Sequence, residues 1–238
     1  MTLSGQTVVV VGGTSGMGLA TAKAAAAQGA EVIAAGRRPV AEREPIEGVR
    51  QAQVDVTDEA SVRALFDGVG ALDHLLVSSS PGAPGPLLEQ DLAAARTFLD
   101  GKVLGSWSCA RYAAPRIRAG GSITFVTGAA VVRPPRHAAM VTAAFAAVEA
   151  LSRALALELG PLRVNTIRPG YTDSEMWSHL AAAERDELRQ QVAEAMPVGR
   201  MGTPEDIAHA AVFLMTSRQT TGAVLEVSGG ETLVDALG

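Results

Sequence analysis

The chain has 238 residues, a formal net charge of −5 and 47% hydrophobic residues, enough length for one large α/β domain with a full core. A negative balance gives no basic field for a phosphate backbone, so no nucleic-acid partner is expected. Cys109 is the lone cysteine, which excludes a disulfide framework and leaves no metal-ligand cluster. No run of roughly 18 apolar residues and no cleavable leader is read, so the expectation is a cytoplasmic protein without a membrane partner.

In chain order, short β-branched runs alternate with longer Ala-rich stretches. Strands are predicted at Thr7–Val11, Val32–Ala35, Arg50–Val54, His74–Ser78, Ser122–Val126, Arg163–Ile167 and Ala223–Val227. Helices are predicted near 17–28, 58–67, 88–118, 137–159, 174–195 and 204–216. Such alternation implies crossover connections and a parallel sheet covered on both faces, a single-domain Rossmann-like α/β fold spanning 1–238. Between the second and third strands, Pro39 and Pro45 leave room for a turn or two of helix at most. No repeat or linker divides the chain.

The first strand runs into Gly12-Gly13-Thr14-Ser15-Gly16-Met17-Gly18, which opens a helix. Glycines there let the backbone turn tightly and approach a pyrophosphate, whose charge meets the helix N-terminal amides. The second strand ends in Arg37 and Arg38, where an NAD site would carry a carboxylate for the ribose hydroxyl. Guanidinium groups suit a 2′-phosphate, so NADP(H) is favoured over NAD(H). After the third strand, Asp55 and Val56 border the adenine; Asp55 can accept from its amino group. The other reading makes Asp55 a helix cap, a job for which Thr57 is better placed.

These residues, with Val164-Asn165-Thr166-Ile167-Arg168-Pro169-Gly170, the run from Ala146 to Leu159, Gly202-Thr203-Pro204-Glu205-Asp206 and Val227-Ser228-Gly229-Gly230, resemble the short-chain dehydrogenase/reductase family over essentially the full length. The resemblance implies hydride transfer between a nicotinamide and a carbonyl or alcohol. It also implies that Pro169, Gly170, Tyr171 and Thr172 border the nicotinamide, with the Thr172 hydroxyl near its carboxamide. Ser78, Ser79, Ser80 and Pro81 stand where the family carries Asn-Asn-Ala-Gly.

The family's Ser, Tyr, Lys and Asn positions fall on Gly128, Val141, Phe145 and Lys102. The only tyrosines are Tyr112 and Tyr171, followed four residues later by Arg116 and Glu175, so no Tyr-x-x-x-Lys exists in any register. That motif serves because a phenol with pKa near 10 is a poor base at neutral pH without a neighbouring ammonium. Lys102, in an apolar interior, is the leading replacement acid, against the reading of a solvated lysine stem. Thr127 and Thr142 offer hydroxyls one residue away from the lost groups. Arg133 and His137 lie on a loop lipping the cleft. Tyr171, Met176, Trp177 and His179 begin a substrate-covering segment over 171–200, suited to an apolar molecule.

Three functions stay open on this sequence. One is an NADP(H)-dependent oxidoreductase with a non-standard acid, acting on an unknown small molecule. Another is a nucleotide-holding sensor or scaffold, and a third is non-redox chemistry in an apolar pocket. By fold analogy, the long helices near 88–118 and 137–159 are expected to form a homodimer or homotetramer.

Overall fold

A computed structural model describes residues 2–80, 82, 85–174, 177–178 and 180–234. A seven-stranded parallel sheet of order β3-β2-β1-β4-β5-β6-β7 forms its centre. The strands are β1 (Thr7–Val11), β2 (Glu31–Gly36), β3 (Val49–Gln53), β4 (Leu72–Val77), β5 (Ile117–Val126), β6 (Arg163–Pro169) and β7 (Val224–Val227). The helices are α1 (Gly16–Ala27), α2 (Glu59–Val69), α3 (Leu92–Leu99), α4 (Gly105–Ala113), α5 (Ala139–Glu158), α6 (Ala182–Ala195) and α7 (Pro204–Thr216).

The alternation of side chains along β1 assigns its valines to two cores. Val9 and Val11 join Ile33, Phe66, Cys109, Phe125 and Val148 on the face covered by α2, α4 and α5. Val8 and Val10 join Val32, Ala34, Ala22, Ala25, Ile207 and Leu214 on the face covered by α1 and α7. A central strand buried on both faces has no polar side, which is why Thr7–Val11 reads as one continuous apolar run. Cys109 is a fully buried core residue whose thiol burial pushes up to about 12.

Between β2 and β3 there is only a single 3₁₀ turn, Val40–Glu42. Arg43 replaces the missing crossover helix as a strut. Its guanidinium donates to the Gly36 carbonyl at 2.6 Å and the Ala52 carbonyl at 2.9 Å, and also to the Arg38 carbonyl.

The structure corrects several element boundaries. The single helix expected over 88–118 is α3, a π-helical turn Asp100–Leu104, then α4. It stops where Pro115 withholds an amide, and β5 starts five residues earlier than expected, at Ile117. The helix expected from 174 begins at Ala182, with Glu184 accepting from the Ala181 amide at 2.7 Å. The cap of α2 is Asp58, which accepts from the Ala60 amide at 2.9 Å, not Thr57, whose hydroxyl turns to Asp55. On average apolarity α5 is long enough to cross a bilayer, yet its Glu149 is buried in an ion pair against β6.

Candidate functional site

All strands being parallel, the carboxyl ends of β1, β4, β5 and β6 lie along one edge of the sheet, the edge above which doubly wound folds hold ligands in a crevice. The glycine loop forms one wall. Gly12 donates to the Ala35 carbonyl at 2.8 Å and has φ +82°; a Cβ there would lie 2.6 Å from the Ser79 nitrogen. A Cβ at Gly18 would strike the Gly12 carbonyl. Thr14 packs on Gly36, tying the loop to the end of β2. At Gly16 a Cβ would meet, among the described residues, only Ser174, at 3.9 Å.

These features fit a dinucleotide. Ser15 caps α1 without any side-chain bond, and the first turn carries no acidic residue, so the amides of Met17 and its neighbours point outward at the positive end of a helix. Arg37 and Arg38 are exposed at the end of β2, beyond Gly36. Asp55 accepts from the Thr57 amide and hydroxyl at 2.9 and 2.7 Å, which hold its carboxyl below the usual range. Val56 packs against Gly105 at the start of α4. Ser78 continues β4, donating to the Val11 carbonyl at 2.8 Å. The Ser79 hydroxyl beside it is buried and has no hydrogen-bond partner among the described residues.

Across the crevice, Gly170 donates to the Val227 carbonyl at 3.1 Å and lies too close to Ser228 and Glu231 for any larger residue. Thr172 is 5% exposed, and its hydroxyl donates to the Gly170 carbonyl at 3.0 Å. Tyr171 and Trp177 stack at 6.1 Å, the indole donating to the Thr172 carbonyl at 2.9 Å. Both rings pack on Val192, Met196 and Met201, so the start of the 171–200 segment shares a small core with α6 and the residues that follow it. Asp173, held by Arg185 at 2.9 Å and Arg189 at 2.7 Å, ties that segment to α6. Met176 and His179 lie outside the described residues. Tyr171 cannot stand in for a lowered-pKa tyrosine, because burial and the nearby Glu231 push its phenol up.

The π-helical turn brings Lys102 to the floor of the crevice. Its side chain is 2% exposed, and Nζ donates to the Val126 carbonyl at 2.7 Å and the Ser79 carbonyl at 3.2 Å, bridging the ends of β5 and β4. The Phe145 ring covers it at 5.1 Å, an ammonium–aromatic contact. Burial pushes the lysine down to about 8. The same ring packs on Gly128, where a Cβ would come 2.8 Å from Phe145 Cε2. Gly128, Phe145 and Lys102 thus form one contiguous group, with Val141 one helical turn before Phe145 on α5.

The remaining candidates are placed less centrally. Thr142 donates to the Ala130 carbonyl at 3.1 Å, and Thr127 to Glu149 at 3.1 Å, so both hydroxyls are committed to the protein. His137 is exposed at φ +67°, on the lip before α5. Arg133 donates to the Glu231 carbonyl at 3.0 Å.

Residue patterning missed the network beneath the site. Glu149, 3% exposed on α5, receives Arg168 Nε at 2.9 Å and Nη2 at 2.7 Å, and Arg168 also reaches Glu226 at 3.3 Å. A lone glutamate in an otherwise apolar helix face was the available signal. Glu231 was missed too: it accepts from the Tyr171 amide at 2.8 Å, and its carboxyl is raised by burial.

The profile of the family described as enoyl-(acyl carrier protein) reductase matches residues 11–232. The chain is similar to cis-4-hydroxycyclohexanecarboxylate dehydrogenase of Sinomonas cyclohexanicum, 35% identical over 95% of this chain and 96% of that one. It is 32% identical to a short-chain dehydrogenase/reductase of Stachybotrys chlorohalonatus, over 98% of this chain and 99% of that one. Among solved structures, a small-chain dehydrogenase in complex with NADPH superposes with a TM-score of 0.84 at 33% identity, covering 96% of this chain and 99% of that one. The MalC reductase/Diels-Alderase of Malbranchea aurantiaca superposes with a TM-score of 0.88 at 26% identity, covering 97% and 98%. A glycine loop on the first strand, the sheet order and these full-length likenesses agree: the chain belongs to the short-chain dehydrogenase/reductase family.

Proposed function

We propose that the protein is an NADP(H)-dependent oxidoreductase for a largely apolar small molecule, in which Lys102 supplies the proton that a tyrosine–lysine pair supplies elsewhere in the family. The observation that carries this reading is the Lys102 ammonium, held between the ends of β4 and β5 at the crevice floor with its pKa lowered to about 8. Arg37 and Arg38, with no acidic residue in their turn, support a 2′-phosphate over a free ribose hydroxyl. The NADPH held by a structural neighbour is consistent with that choice.

In this reading the α1 amides and Gly16 bind the pyrophosphate, and Gly170 and Thr172 border the nicotinamide, which exchanges hydride when bound. Val141, Phe145, Tyr171 and Trp177 exclude water around the reacting atoms. Lys102 passes one proton from Nζ to the substrate heteroatom or carbon as hydride arrives, and then recovers a proton from solvent. An acid with pKa about 8 donates only while protonated, so turnover falls as pH rises through 8. A substrate needing little acid assistance, such as an imine or activated alkene, suits a single ammonium better than a ketone does.

One observation favours a second reading, nucleotide binding without turnover: the Phe145 ring lies on both Gly128 and Lys102 and must shift before a substrate can touch the ammonium. Self-association through the exposed Leu104, at the end of the π-helical turn, and Trp107 of α4 belongs to either reading and is tested by sedimentation. The deciding experiment titrates NADPH and NADH by fluorescence, then follows 340 nm absorbance with a panel of carbonyls, imines and enones. Turnover that Lys102→Ala lowers at least about a hundredfold, with NADPH binding retained, is the expected result. Unchanged turnover in Lys102→Ala overturns the assignment of the acid; tight binding with no turnover favours the second reading.

A further inference from the structure

Lys102 has a second consequence that does not depend on proton transfer. Its two protein partners are neutral carbonyls, its lid is a neutral aromatic ring, and among the described residues it has no carboxylate partner. The acidic residue nearest in sequence, Asp100, is exposed, and Glu149 behind the site is committed to Arg168. The crevice floor therefore holds an uncompensated positive charge shielded from water. In a protein-like dielectric, like charges repel enough at separations up to about 10 Å to shift an equilibrium roughly tenfold.

The two redox forms of the nucleotide differ where this charge acts. The oxidised nicotinamide ring carries a positive charge and the reduced ring carries none, while their phosphates are identical. Resting on the nucleotide-binding reading above, we infer that the buried Lys102 ammonium makes this crevice a site selective for the reduced nucleotide, rejecting the nicotinamide cation of NADP⁺. The selectivity sets the resting state as the NADPH complex. It biases an enzyme towards reduction and would let a non-catalytic binder report the reduced fraction of the pool. A ligand can shift an equilibrium only by its differential affinity for the states concerned, and here that difference comes from one charge.

The test is equilibrium binding, by calorimetry at pH 7, of NADPH, NADP⁺ and adenosine 2′,5′-bisphosphate to the wild-type protein and to Lys102→Met. Methionine keeps a similar apolar volume and removes the charge, and circular dichroism checks that the variant folds. The expected wild-type result is NADPH binding about five- to tenfold tighter than NADP⁺; the upper limit, equivalent to about 1.4 kcal/mol, is set at pH 7 because a lysine near 8 can shed its proton rather than bear more repulsion. In Lys102→Met the ratio falls to within about threefold, through a gain in NADP⁺ affinity. Adenosine 2′,5′-bisphosphate, which lacks the nicotinamide, is affected little, and this separates a local effect from a general loss of attraction for phosphate.

Wild-type affinities for the two redox forms within about twofold overturn the inference whatever the variant does, and leave nucleotide binding standing. A ratio that persists in a folded Lys102→Met overturns it as well. If neither nucleotide binds, both this inference and the function proposed above fail.

Discussion

The buried pair Glu149–Arg168 offers a test of what holds the floor of the site in place. Glu149 is 4% and Arg168 15% exposed by side chain, and three hydrogen bonds converge on the carboxylate. Glu149→Leu fills the volume but leaves the Arg168 guanidinium facing an apolar wall, and removing one partner of a buried pair costs roughly 3–5 kcal/mol. Arg168 keeps Glu226 at 3.3 Å, and Thr127 keeps the Ile167 carbonyl at 3.3 Å. Both contacts soften the loss, which places the expected cost near the lower end, about 3 kcal/mol. Urea unfolding should therefore show a fall of about that size, and the melting temperature should drop roughly 6–12 °C. Replacing both partners, Glu149→Leu with Arg168→Met, removes the orphaned charge and should return most of the stability. A Glu149→Leu variant within about 1 kcal/mol of wild type, or a double variant no better than the single, would refute the claim that an uncompensated charge is the cause.

Three further outcomes follow from local geometry. Gly128→Ser introduces a Cβ 2.8 Å from the Phe145 ring, so it should cost about 1–3 kcal/mol in urea unfolding and much less in a Phe145→Ala background; equal costs in both would show that the ring is not the obstacle. His74 is 2% exposed between Ser122 at 2.9 Å and Gln6 at 3.2 Å, and burial, with Arg163 nearby, lowers it from 6.5 to about 4. The unfolded chain takes that proton first, so its contribution is complete above pH 6.5 and is lost towards pH 4 at up to about 1.4 kcal/mol per pH unit. Comparing the urea midpoints of wild type and His74→Asn at pH 7 and 5 checks this, since the variant should lose that share of the slope. Asp58→Ala should cost about 1 kcal/mol through loss of the α2 cap, whereas Thr57→Ala should cost less, and thermal unfolding of the two variants ranks them.

Local sequence was sufficient where a single periodicity or a backbone constraint decides the outcome. The valines of β1 have no polar alternative, so a strand buried on both faces follows directly. Gly12 and Gly18 can be nothing larger, because the loop folds onto Ser79 and onto itself. The two prolines between β2 and β3 held that connection to one short turn. Composition could also establish that no Tyr-x-x-x-Lys exists, since that is a matter of which residues are present and at what spacing.

Tertiary structure alone decided which side chains meet at the ends of β4 and β5. The π-helical turn that aims Lys102 at the ends of β4 and β5 has no sequence signature, because one extra residue in a turn is stabilised by what the side chain meets. The Phe145 ring bridges a glycine 17 positions earlier in the chain and a lysine on another helix, a contact no spacing rule predicts. Glu149 and Arg168 are 19 residues apart, and Tyr171 meets Glu231 across 60. Propensity and periodicity are set by neighbours along the chain, whereas charge burial, ring stacking and the character of the crevice floor depend on residues that only the closed sheet brings together.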